Sequence, residues 1–322
     1  DNHSRLVGSE MCIRDRHWIC ANSSWFIVQV IRYYSLDSTY IRLYLATSLN
    51  CCWCNFDFWK QNEKIMEIVI LGAGNVAFHL ANALYANGCH IKQVFSQTNT
   101  SAKQLAKSIN SEFVTDVKQI YQNADLYIYA LKDSVLETII AQVDVPEAIH
   151  VHTAGSISID VFGSGKNNFG VLYPLQTLSK TKPVDFKQVP LFIEANNQKT
   201  QQELIKLASK ISINISLANS DQRMRLHLAA VFACNFTNYM YTVAAQLVTE
   251  SGLSFETLKP LIQETAQKIM TIEPKAAQTG PAVRFDTNVM DKHLHLLQLH
   301  PEFSEIYTML SKQIYSASVN KE

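Results

Sequence analysis

The sequence predicts an α/β fold in which a doubly wound parallel sheet is followed by an all-helical C-terminal domain. Three observations predict it. Short apolar runs alternate with helical patterns from residue 66 to about residue 219. A glycine-rich turn joins the first apolar run to the first helix. From Asp221 onward the pattern is helical throughout.

The first buried strand is read over residues 68–71, IVIL, and is followed by Gly72, Gly74 and Ala77 in the spacing G-x-G-x-x-A. The next helix carries Phe78, Ala81, Leu84 and Tyr85 on its apolar side and stops at Gly88. A second strand is read over residues 90–95, a helix over 102–109 and a short strand near Phe113. Then come a strand over 126–130, a helix over 135–143 and a strand over 149–151. Further strand-like runs at 169–173, 191–194 and 213–217 flank a helix over 198–209 and extend the sheet. Beyond them lie a long helix from Asp221 to about Ser251 and helices over 256–272, 287–299 and 301–317, punctuated by Gly252 and Pro274. Residues 66–219 are thus read as one domain and residues 220–322 as a second.

Strand, tight glycine turn and helix together are the Rossmann-type site for a dinucleotide. Gly72 permits the turn, Gly74 lets backbone approach a pyrophosphate, and Ala77 allows close packing of helix on strand. The phosphates are expected on the helix N-terminus, where free N–H groups favour negative charge. The bland alternative is a glycine turn with a purely steric purpose. Ligands in such sheets lie beyond the carboxyl ends of the strands. This nominates Gly72, Gly74, Asn75 and Val76 after the first strand, Ser96, Gln97 and Thr98 after the second, and Ala130, Leu131 and Lys132 after the fourth. At the end of the second strand NAD sites usually place an acid, whereas Ser96, Gln97 and Thr98 tolerate a 2′-phosphate and Lys103 adds charge nearby. NADP is therefore the expected cofactor, with NAD less favoured.

On the long helix His227, Val231, Asn235 and Asn238 follow at intervals of four, four and three, which places them on one face of an α-helix. The catalytic reading gives His227 proton transfer and Asn235 an orienting role toward a carbonyl or imine. The structural alternative is that these side chains are hydrogen-bonded core or bridge subunits. Thr153 and Ser156 after the fifth strand, Gln176 after the sixth, and Asn238 are candidate substrate contacts. Arg284 would suit an anionic substrate group if its loop folds back over the site. His293, His295 and His300 do not form a set tight enough for zinc, so no metal is expected.

Bulk properties exclude other classes. Lys plus Arg equals Asp plus Glu at 28 each, which gives no argument for nucleic acid or a membrane surface as partner. No apolar run approaches the roughly 20 residues of a membrane span, so a soluble protein is expected. All four Trp and five of the seven Cys precede residue 65. The two cysteines left, Cys89 and Cys234, suit a reduced, cytoplasmic protein. Residues 1–65 show no sustained periodicity, and their run RLVGSEMCIRDR resembles translated sequencing-adapter read-through. They are read as a non-native or disordered extension, with Met66 as the start, and they lack the apolar core of a signal peptide.

The blocks LGAGNVAFHLANAL, VHTAGS, VLYPLQTLS, RLHLAAVFACNFTNYMY and QTGPAVRFD resemble the Rossmann-like proteins that carry the C-terminal domain of unknown function 2520. That family is similar in architecture to the NADP-linked deazaflavin reductase, pyrroline-5-carboxylate reductase and the β-hydroxyacid dehydrogenases. The resemblance implies a two-domain, dimeric NADP oxidoreductase, with the homodimer formed through the helical domain. The first reading is an enzyme in which hydride passes between NADPH and a small carbonyl or imine held by Thr153 to Ser156, His227 and Asn235. The β-hydroxyacid dehydrogenases place a catalytic lysine one turn before an asparagine, but here Val231 stands one turn before Asn235. His227 is the substitute candidate. The alternative is a non-catalytic sensor that uses NADP occupancy to set domain angle or dimer stability.

Overall fold

The computed structural model describes residues 65–319. They belong to one compact unit. The reading of the N-terminal extension therefore lies, apart from Ile65, outside the described residues.

The chain alternates as read: β1 (Glu67–Leu71), α1 (Asn75–Ala86), β2 (His90–Phe95), α2 (Asn99–Ser108), β3 (Glu112–Val114), β4 (Leu126–Tyr129), α3 (Asp133–Gln142), β5 (Ile149–His152) and β6 (Asn168–Pro174). Next come β7 (Leu191–Ala195), α4 (Gln198–Ser209) and β8 (Ile215–Leu217). They form an eight-stranded sheet in the order β3-β2-β1-β4-β5-β6-β7-β8. The order reverses between β1 and β4, the switch point at which such sheets bind ligands.

One part of the expectation is corrected. The sheet is not parallel throughout, because β7 runs antiparallel to β6, with Pro174 opposite Leu191 and Gly170 opposite Ala195. The connection over residues 175–190 contains only the 3-10 turn Phe186–Gln188, and without a crossover helix the chain returns from the end at which it left. A sixteen-residue strap, counted from 175 to 190, is thereby held at the carboxyl end of β1 through β6. α4 then carries β7 to a parallel β8.

Both faces of the sheet are covered, as its central strands require. Ile68 and Ile70 pack with Leu80, Leu84, Leu204 and Leu207 of α1 and α4. The alternate residues Val69 and Leu71 pack with Leu136, Ile139 and Ile140 of α3 and with Phe162.

The long helix is α5 (Ser220–Ala230), a π-helical turn over Val231–Phe236, and α6 (Thr237–Glu250). A capping box opens it: Gln222 N donates to Asn219 Oδ1 at 2.9 Å, and Asn219 N donates to Gln222 Oε1 at 3.0 Å. After it come α7 (Lys259–Lys268), α8 (Pro274–Ala277), α9 (Thr287–Leu296) and α10 (Pro301–Val319). The helix read over 256–272 is shorter than expected, since its start is a 3-10 turn at Phe255–Leu258. No helix among the described residues is long and apolar enough to cross a membrane.

Candidate functional site

The glycine turn has the geometry its spacing requires. Gly72 has φ of +118°, and a Cβ there would lie 2.1 Å from the Ala130 carbonyl oxygen, so this backbone crossing admits only glycine. Gly72 N donates to Phe95 O at 2.7 Å and Ala130 N donates to Leu71 O at 2.8 Å, which locks the ends of β1, β2 and β4 together. At Gly74, the residue that caps α1, a Cβ would meet nothing within 4 Å. No side chain caps α1, and its first turn holds no acid. Free N–H groups facing open volume fit a phosphate. Asn75 is exposed beside them and Val76 half-buried.

Beyond β2, Thr98 N donates to Ser96 Oγ at 3.3 Å, and Gln97 and Thr98 are exposed. Gln97 helps line a cleft of about 390 Å³ with Phe95, Thr115, Val117, Val135 and Ile139. Asp116, Thr138 and Gln142 complete its lining, with Asp116 accepting from Lys118 N at 3.0 Å, and the apolar side chains of this slot beyond the second strand suit the adenine half of a dinucleotide. Leu131 is half-buried, and exposed Lys132 is the residue from which α3 starts.

A second centre forms beyond β5 and β6. Tyr173, near the end of β6, places its hydroxyl 3.0 Å from Nδ1 of His227 on α5. Gly155 lies beneath the pair, where a Cβ would come within 2.8 Å of both His227 Nδ1 and Tyr173 Cζ. Burial raises the Tyr173 phenol above its usual range, partly offset by the nearby Arg223 charge. Thr153 is buried and its backbone N–H donates to Tyr129 O at 3.2 Å, while Ser156 Oγ donates to Asp133 at the start of α3. Those two predicted contacts thus have partners at the two ends of the connection from β4 to α3.

Arg223 holds this loop under the helix. It is 1% exposed, pairs with Glu194 of β7, and donates to the carbonyls of Ile157 and, at 3.2 Å, Ala154. Ser220 Oγ also donates to Glu194, at 2.8 Å. His152, Val171 and Glu194 occupy one row of the sheet, so this ion pair sits level with the end of β5. Sequence reasoning missed Arg223, Glu194 and the partnership of Tyr173 with His227. The residues in each pair are distant in sequence, and the one local signal was that Arg223 precedes His227 by one turn.

Asn235 and Asn238 share a cleft of about 450 Å³ with Thr177, Cys234, Thr237 and Tyr241. The π-turn bends the expectation of one shared face. Its wider turn rotates α6 by about 100° relative to an unbroken α-helix, so His227 faces Gly155 while the asparagines face the strap. Gln176, next to Thr177, is exposed and accepts from Thr177 N at 2.8 Å. Arg284 is exposed on the Pro281–Arg284 turn, whose Val283 carbonyl accepts from Ser318 of α10 at 3.0 Å.

Two histidines of the C-terminal part have structural partners. His293 Nδ1 lies 2.9 Å from Tyr307 Oη, and His300 Nε2 lies 2.9 Å from Glu250. No group of three metal-ligating side chains occurs among the described residues. Under the sheet, His150 Nε2 donates to Val145 O at 2.7 Å and its Nδ1 faces Tyr129 Oη at 2.9 Å. Burial lowers His150 to about 4, and burial reinforced by Arg223 lowers His152 to about 3.

Comparison with known proteins agrees with the fold. The family described as NADP oxidoreductase, coenzyme F420-dependent, matches residues 67–162, and the domain of unknown function 2520 matches residues 189–314. A solved structure from Bacteroides fragilis, assigned as an NADP oxidoreductase, is 46% identical with a TM-score of 0.74, covering 78% of this chain and 98% of that one. A Thermotoga maritima protein shares the fold at 18% identity and a TM-score of 0.61, covering 79% of this chain and 99% of that one. So does an imine reductase from Myxococcus stipitatus in complex with NADP⁺, at 14% identity and a TM-score of 0.55, covering 78% and 92%. A search of curated proteins gave no match. The chain belongs to the NADP oxidoreductase family that joins a Rossmann-type dinucleotide-binding part to the domain of unknown function 2520.

Proposed function

We propose that this oxidoreductase transfers hydride between NADPH and a small carbonyl or imine bound beside Gly155, Tyr173 and His227. The observation that carries the reading is the hydrogen bond between Tyr173 and His227, closed over a glycine that leaves no room for a side chain. The nicotinamide supplies or accepts the hydride. Tyr173 stays protonated because burial disfavours its anion, so its O–H donates to His227 Nδ1. That fixes the imidazole tautomer with its proton on Nε2. Nε2–H then donates a hydrogen bond that polarises the substrate oxygen or nitrogen as hydride reaches the adjacent carbon, and water supplies the proton that completes the reduction and receives it in the reverse direction. Asn235, Asn238 and Thr177 offer neutral donors and acceptors that orient the rest of the substrate.

NADPH is the proposed partner in preference to NADH because the end of β2 presents Ser96, Gln97 and Thr98 and no carboxylate. A homodimer through the helical part is also proposed. Leu228, Phe232 and Phe236 on the long helix and Leu261, Leu296 and Leu299 beyond it are exposed, and a second copy would take this apolar surface out of water. Sedimentation showing a monomer at micromolar concentration would remove that part of the proposal.

The test is a titration of the full chain with NADPH and NADH, followed by turnover with small aldehydes, ketones and cyclic imines. NADPH is expected to bind at least ~10-fold tighter, a difference of about 1.4 kcal/mol. His227→Gln is expected to abolish turnover without changing cofactor affinity. Unchanged turnover would eliminate the role of His227, and failure of both cofactors to bind would remove the whole reading.

A further inference from the structure

The strap over residues 175–190 leaves β6 at Pro174 and re-enters the sheet at Leu191, which pairs with Pro174. It therefore lies at the same end of the sheet as the glycine turn. Two contacts fasten it to α1. His79, a buried residue of α1, donates from Nε2 to Ser179 O at 2.8 Å. Its neighbour Lys180 holds its ammonium 5.9 Å from the centre of the Phe78 ring.

Phe78 marks the first turn of α1, since its N–H donates to Gly74 O at 2.9 Å. Side chains on a helix lean toward its N-terminus, so the Lys180 ammonium over the Phe78 ring belongs to the N-terminal half of α1. Lys180 is half-buried there and forms no ion pair among the described residues. No acidic residue in the first turn of α1 offsets it. An ammonium beside the positive end of a helix is an unfavourable arrangement unless an anion sits between them. The volume in front of Gly74 is open to receive one.

We propose that Lys180 is a cofactor-binding residue, which reaches from the strap to the nicotinamide-side phosphate of the NADP pyrophosphate. The assignment rests on the NADP reading above and extends it. The backbone N–H groups of α1 hold the pyrophosphate from one side, and the Lys180 ammonium closes it from the other. His79 anchors the strap at Ser179, the residue before Lys180. Thr177, three residues earlier in the same strap, lines the cleft with Asn235 and Asn238. The segment that grips the cofactor thus also forms one wall of the second cleft.

The experiment measures affinities of three probes for the full chain and for Lys180→Ala: NADPH, 2′-phospho-ADP-ribose, and adenosine 2′,5′-bisphosphate. The first two contain the nicotinamide-side phosphate, and the third lacks it. Lys180→Ala is expected to weaken the first two by about tenfold and the third by less than about twofold, the loss of one charge-assisted contact. Lys180→Gln should behave like the alanine variant and Lys180→Arg should retain most of the affinity, with thermal melts of all three near wild type. Equal weakening of all three probes would make Lys180 a source of diffuse positive field and overturn the assignment. So would unchanged affinity for NADPH, which would leave the ammonium to some other anion. Wild-type protein that binds none of the probes would instead overturn the NADP reading itself.

Discussion

Tyr173 and His227, from a strand end and a helix 54 positions apart in sequence, meet at 3.0 Å directly over Gly155. The glycine makes the meeting possible, since a methyl group there would occupy the space of both rings. Gly155→Ala is therefore expected to push the rings apart at a cost of about 1–3 kcal/mol in overpacking. Turnover should fall by at least an order of magnitude while NADPH affinity stays near wild type. Steady-state kinetics beside a cofactor titration check this, and a variant with normal turnover would show that the pair is not needed for chemistry.

Arg223 and Glu194 join the long helix to the sheet and to the loop that carries Gly155. Arg223→Met leaves the Glu194 carboxylate partly buried without its partner, and Glu194→Gln leaves a buried guanidinium charge. Either is expected to destabilise the fold by about 3–5 kcal/mol, whereas the double replacement should recover much of the loss. Urea denaturation of the two single variants and the double variant measures it. Additive losses would mean that the pair does not act as a unit.

The legible parts of this molecule were those in which neighbouring residues share one environment. β2 over residues 90–95 and α4 over 198–209 have the bounds their patterns indicate, because β2 is a short run with buried residues toward both faces and α4 repeats Leu204, Leu207 and Ala208 against one buried face. The glycine turn was equally plain, as its chemistry is local. The reversal of β7 was not, because its signal is a negative one, the lack of a crossover helix over residues 175–190. The π-turn was hidden for a related reason. VFACNF has ordinary helical composition, and the Thr237 hydroxyl that occupies the Phe232 carbonyl at 3.1 Å is not a sequence signature. At the site, His227 was found through its own chemistry, while its partner Tyr173 and its support Arg223 depend on contacts that only the tertiary fold creates.

Two buried histidines make the fold acid-sensitive. In the unfolded chain a histidine titrates near its ordinary value of about 6.5. In the fold His150 is held at about 4 and His152 at about 3, both neutral. Below about pH 6.5 the unfolded state therefore takes up protons that the folded state refuses. Their stabilising contribution is full above that value and is lost as pH falls, down to about 4 for His150 and about 3 for His152. The slope is at most about 1.4 kcal/mol per pH unit for each group. Unfolding free energies measured between pH 7 and pH 4 should fall accordingly, and His150→Gln should flatten the curve. A wild-type curve that is already flat would show that the histidines do not carry the effect.

The two glycines of the turn separate fold from function. Gly72→Ala places a methyl group against the Ala130 carbonyl at a φ of +118°, so both sterics and backbone conformation oppose it. It should cost more than about 3 kcal/mol and lower the melting temperature sharply. Gly74 has an ordinary φ of −77°, and a Cβ there enters open volume. Gly74→Ala is thus expected to melt within a few degrees of wild type and to bind NADPH at least ~10-fold more weakly, because the methyl group intrudes where the phosphates approach α1. A thermal melt paired with a cofactor titration distinguishes the two substitutions. If Gly74→Ala bound NADPH like wild type, the open volume before α1 would not be where the pyrophosphate lies, and the contact assigned to Lys180 would lose its anchor.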